Sequence, residues 1–157
     1  MNNITLTVNK AYVYDEVAKT TAYTGAKMKD DADAYDRIFT TDEDRMMLER
    51  FWVEACNGAT EEFKQFIVNV SDQPESHGVE LDKNYTVTLE LSTMFDTRLK
   101  GSMETSLFSY FVNAIVAKWY RFTNRGEADS FGEDATTAML DVKSKMFHRK
   151  KPQRKAI

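Results

Sequence analysis

Few residues in this chain have the types and spacing that chemistry needs. There are two histidines, His77 and His148, and one cysteine, Cys56. No His-Glu-x-x-His pair occurs, and a single cysteine cannot supply zinc-finger spacing. His77 falls in an expected connector and His148 in a basic end, so both read as surface residues. Cys56 shares an apolar stripe with Trp52 and Ala55. A reactive thiol needs an electropositive, partly exposed setting. Glu54, Glu61 and Glu62 oppose a thiolate, so Cys56 reads as a core or interface residue.

Asp30, Asp31, Asp33 and Asp36 form a carboxylate cluster of the kind hard cations favour. The stretch lacks the central glycine and the distal glutamate of a calcium loop, and it reads as a solvated acidic loop. Gly101 and Gly126 belong to no phosphate-binding glycine motif, and no Gly-x-Ser-x-Gly elbow exists. The expectation is a chain with no catalytic residue, no cofactor and no metal, hence not an enzyme.

Charge is distributed unevenly. Residues 143–157 carry Lys143, Lys145, Arg149, Lys150, Lys151, Arg154 and Lys155 with no acid, a charge of +7. The whole chain is −4, so the remainder is −11. Such a tail is either a solvated end or a docking element for an acidic partner or for phosphates. Arg149, Lys150, Lys151, Arg154 and Lys155 are its candidate docking residues. The acidic body argues against broad, non-specific binding of duplex DNA.

These side chains need elements to position them. The chain has 157 residues, the size of one domain with its own core. No apolar run approaches the roughly 20 residues of a membrane span. The start, Met1-Asn2-Asn3-Ile4-Thr5, lacks the regions of a signal peptide, which fits synthesis in the cytoplasm. Period-two alternation predicts strands over 4–8 and 85–91. Helical spacing predicts a helix over 12–23 that stops near Gly25. Residues 27–36 are expected mainly as loop. Thr41-Asp42-Glu43-Asp44 predicts a Thr-capped helix start. Asn57-Gly58 is expected to break that helix, with a shorter helical piece over 60–67 and a connector over 70–78. Helices over 103–122 and 127–147, separated by a break at 123–126, predict an antiparallel hairpin. The expected architecture is α+β: helices on a small, mostly antiparallel sheet with a long C-terminal α-hairpin. The domain is expected over 1–147, with a basic tail over 148–157.

The helix over 103–122 is apolar on more than one face. Either it lies at the centre of its own domain, or it meets another subunit. Tyr110, Trp119 and Tyr120 are the candidate interface residues, since aromatics are enriched at interfaces.

Three stretches carry a family resemblance: YFVNAIVAKWYRF from Tyr110, GEAD from Gly126, and AMLDVKSKMFHRKKP from Ala138. Together they resemble the C-terminal helical hairpin of small neck and head–tail connector proteins of tailed bacteriophages. The nearest likeness is to the ring proteins of crAss-like phages of gut Bacteroidales. The family pattern is carried by Ala117, Trp119 and Tyr120, then Glu127 and Ala128, then the basic run from Arg149 to Pro152. The resemblance implies a virion structural protein of the neck or tail, made in the bacterial cytoplasm. It implies a ring-shaped homo-oligomer coaxial with the portal, touching the portal or neighbouring neck and tail rings, with double-stranded DNA passing through the lumen. It implies assembly rather than catalysis, and no membrane. On that view the edge of the strand at 4–8 or at 85–91 pairs with a neighbouring subunit. The alternative is a small phage- or prophage-encoded binding or regulatory protein that uses the basic tail on nucleic acid.

Overall fold

Ile4, Leu6 and Val8 alternate with Asn3, Thr5 and Thr7, and this makes β1 (Asn2–Val8) a strand with one buried and one exposed face. The computed structural model describes residues 1–28, 33–71 and 84–152. Asn9 ends the strand and caps α1 (Lys10–Lys27), its side chain accepting the Tyr12 N–H at 3.0 Å.

The helix does not stop near Gly25. It continues to Lys27, and Gly25 is buried under a neighbouring helix, α2 (Ala34–Ile38). A Cβ at Gly25 would lie 2.7 Å from the Tyr35 Cα, so the glycine permits a close crossing instead of ending the helix. Part of the stretch expected as loop is therefore helical, with Ala34 and Ile38 in the core.

The next helix start reverses the expected cap. The Thr41 N–H and hydroxyl both donate to the Asp44 carboxylate, at 2.9 and 3.3 Å. A short 3-10 turn (Asp42–Asp44) leads into α3 (Arg45–Phe63). That helix runs unbroken through Asn57-Gly58. Gly58 lies beneath the Tyr110 hydroxyl, where any Cβ would collide with it. The residues expected as a helical piece over 60–67 are the last turn of α3, a turn, and the first residue of β2 (Ile67–Val70). Of the connector expected over 70–78, residues 72–78 lie outside the described residues.

β3 (Tyr85–Leu91) forms the middle of an antiparallel sheet with order β1-β3-β2. Ile4 faces Leu89, Leu6 faces Val87, and Val8 faces Tyr85. β2 is irregular between Ile67 and Asn69, which leaves Val68 exposed. Both edges of β3 are occupied. The docking edge expected at 85–91 is thus ruled out, and among the described residues no strand pairs with the outer edge of β1.

α4 (Lys100–Thr123) and α5 (Arg125–Met146) form the expected hairpin, broken at Asn124 alone. At 1.5 Å per residue they span about 36 and 33 Å. α4 packs against β1, α1 and α3 and against α5. This central position explains why it is apolar on several faces: Val112, Val116 and Tyr120 are as buried as Leu107 and Phe111 are. The result is the α+β fold with a C-terminal helical hairpin. Among the described residues, no helix is long and apolar enough to cross a membrane.

Candidate functional site

The basic end of the chain is held in place by the main chain. After α5 ends, the His148 N–H donates to Lys145 O at 3.1 Å, which turns the chain back along residues 94–96. The Lys150 N–H then donates to Met94 O at 2.7 Å, and the Asp96 N–H donates to His148 O at 3.1 Å. Phe95 and Arg149 form the antiparallel bridge between them. Phe95 is wholly buried and anchors this clamp to the core. The tail expected over 148–157 therefore begins inside the fold, with residues 148–150 paired to residues 94–96.

The clamp brings a further cation to the same place. Asp96 caps a 3-10 turn (Thr97–Leu99), accepting the Arg98 N–H at 3.1 Å. Its carboxylate also receives Arg98 Nε at 2.9 Å and Nη2 at 2.8 Å, a bidentate pair. The Arg98 guanidinium and the backbone bond hold the Asp96 carboxyl down at about 2. The Arg98 side chain nevertheless stays 82% exposed. Met94, Asp96, Thr97, Arg98, Lys150, Lys151 and Pro152 line an open cleft of about 820 Å³.

Among the described residues, Arg149, Lys150 and Lys151 are exposed and make no ion pair. Lys143 and Lys145 differ. Lys143 Nζ pairs with Glu62 at 2.8 Å, and Lys145 Nζ with Asp141 at 2.6 Å. Asp141 is held below its ordinary value, first by Lys145 and then by the Ser106 hydroxyl. The free positive charge of the segment therefore lies after the helix, beside Arg98. Arg154 and Lys155 lie outside the described residues. Arg98 escaped the sequence reading because nothing local marks it; only the Asp-x-Arg spacing of a capped turn hints at the pair.

Chemically, the cleft can recognise anions. Among the described lining residues Asp96 is the one carboxylate, and Arg98 occupies it. Phosphate oxygens or carboxylates suit the exposed array of Arg98, Lys150 and Lys151.

The other residues singled out from sequence are dispersed. His148 is exposed and joins the clamp through its backbone. His77, Asp30 and Asp31 lie outside the described residues. Asp33 precedes α2 and Asp36 lies in its first turn. Among the described residues, no cluster of three metal-ligating side chains forms. Cys56 is buried, and burial pushes its thiol well above the usual cysteine range. Trp119 is buried in its own chain, its Nε1–H donating to Ile38 O at 2.6 Å. Tyr120 is wholly buried and packs edge-on against Phe131 at 5.2 Å. Neither side chain is left exposed to a subunit interface, which corrects the expectation for both. Tyr110 is half-buried over Gly58.

A second polar cluster is closed to solvent. Lys10 Nζ lies 2.6 and 2.5 Å from the two Glu49 carboxylate oxygens, and the Tyr14 hydroxyl donates to Glu49 at 2.8 Å. The ammonium also faces the Tyr14 and Trp52 rings, at 5.6 and 5.8 Å from their centroids. This group ties α1 to α3 within the core.

Comparison of the chain with protein-family models, curated proteins and solved structures returned no match.

Proposed function

We propose that this chain is a structural subunit of a neck or head–tail connector ring of a tailed bacteriophage, through which double-stranded DNA passes. It acts by assembly. One observation carries the reading: a clamped cationic cleft on an otherwise acidic body. Arg98, Lys150 and Lys151 line one cleft, and the chain outside 143–157, Arg98 included, is −11. An acidic body lining a channel repels phosphates, so DNA slides without sticking. The cationic end seats on an acidic groove of the neighbouring ring. Contacts between unlike surfaces, repeated about an axis, close into a ring. The resemblance of the 110–152 region to phage connector proteins supports the same reading.

The same cations favour a second reading, a small regulatory protein that places the cleft on nucleic acid. Sedimentation velocity over a wide concentration range, with and without linear duplex DNA, separates the two. A discrete species of many copies without DNA is the expected result. A small species that grows only with DNA at low salt overturns the ring and supports the second reading.

A further inference from the structure

We propose that the free chain pairs with a second copy of itself along the outer edge of β1, joining two three-stranded sheets across a two-fold axis. β1 is paired to β3 at all seven of its residues, with no bulge. Among the described residues, its other side carries no strand. Among the described residues, no backbone hydrogen bond reaches β1 from any segment but β3.

Open edges of this length are normally protected by lysine, proline, a bulge or a covering segment. β1 reads Asn2-Asn3-Ile4-Thr5-Leu6-Thr7-Val8, with no lysine, proline or bulge, and among the described residues no second strand covers it. The opposite edge of the sheet differs: β2 has four residues and an irregularity at Val68. β1 is the edge built to accept a strand.

The strand is complementary to itself. In an antiparallel pair centred on Thr5, Ile4 meets Leu6, Asn3 meets Thr7, and Thr5 meets Thr5. Even positions meet even positions, so the buried faces of the two sheets coincide. A slip of one residue would set Ile4 against Thr7, Leu6 against Thr5 and Val8 against Asn3, apolar side chains opposite exposed polar ones. No charge lies on the strand, so nothing repels across the two-fold axis. A charged peptide gains no such match, and a strand on the β2 edge meets the bulge.

A two-fold pair closes on itself and cannot propagate a ring. The pair is therefore a contact separate from the unlike-surface contact that would close a ring; two free chains or two rings can meet through it, and it stands or falls separately from the connector reading.

Thr5→Cys tests it directly. Thr5 is exposed, and the chain's own Cys56 is buried. Opposed residues in an antiparallel pair have Cα atoms about 4.5–5.5 Å apart. That lies within the roughly 4.4–6.8 Å that a disulfide spans. Under mild oxidation Thr5→Cys is expected to give a disulfide-linked dimer, while Asn3→Cys, which faces Thr7, does not. Thr5→Lys is expected to raise the dimer dissociation constant by about tenfold or more in sedimentation, with an unchanged circular dichroism spectrum. A monomer at every concentration overturns the proposal. So does a dimer or larger species that Thr5→Cys fails to cross-link, and a large ring seen in that case leaves the connector reading standing.

Discussion

The backbone N–H of Asp96 donates to the carbonyl of His148 across 3.1 Å, and this bond fixes where the basic end of the chain lies. With the Lys150–Met94 bond it turns a run of cations into a surface with a defined neighbour, Arg98. The Asp96 carboxyl caps the 3-10 turn that adjoins the clamp, and Arg98 depresses it to about 2. An unfolded aspartate titrates near 3.9. The stabilisation is therefore complete above about pH 4 and is lost as pH falls toward about 2. The protection factor of the Lys150 amide, its NMR exchange rate measured against the intrinsic rate at each pH, should fall between pH 6 and pH 2. Asp96→Asn, which loses the ion pair with Arg98, should lower that protection factor already at pH 6.

Charge in the cleft separates from stability. Arg149→Ala, Lys150→Ala and Lys151→Ala together should leave the melting temperature within about 2 °C, because the clamp uses backbone atoms and these side chains are exposed. Removing residues 150–157 is a harsher change, since it deletes the Lys150 N–H. If the basic segment over 149–151 binds duplex DNA, the triple variant should lower the slope of log affinity against log salt by about 3. Fluorescence anisotropy with a labelled duplex reads that slope. An unchanged slope places binding elsewhere.

Gly58 and Tyr110 form a coupled pair. Alanine is favoured over glycine in a helix by about 1 kcal/mol. In the native chain Gly58→Ala meets the Tyr110 hydroxyl and should lose that gain or destabilise. In a Tyr110→Ala background the same substitution should stabilise by about 1 kcal/mol. Urea denaturation of the four proteins gives the coupling energy.

Breaking the buried pair should be costly. Lys10→Met leaves the Glu49 carboxylate buried without its ammonium, and a loss of about 3–5 kcal/mol is expected. Replacing both with apolar residues of similar volume should recover most of it. Guanidinium unfolding monitored by tryptophan fluorescence is suited to this, because Trp52 borders the pair.

The parts legible from sequence were those with strong local periodicity. Alternation marked β1 and β3, and helical spacing marked α4 and α5. The β2 strand was illegible because Ile67-Val68-Asn69-Val70 is short, bulged and stabilised by pairing with distant β3. Propensity alone makes Gly25 and Gly58 helix terminators, whereas each marks close packing under a residue from another helix. The surplus aromatics of α4 left two readings open, and the burial of Trp119 and Tyr120 favours the intramolecular one. At the candidate site the cations of the tail were legible. Arg98 and the clamp were not, because main-chain bonds between residues 94–96 and 148–150 leave no side-chain pattern.

The most direct test of the connector role is electron microscopy of the full chain at high concentration without DNA. The account predicts ring-shaped particles with rotational symmetry and an axial channel wide enough for a duplex. Particles with no channel, or a chain that forms ordered assemblies only when DNA is added, would contradict it.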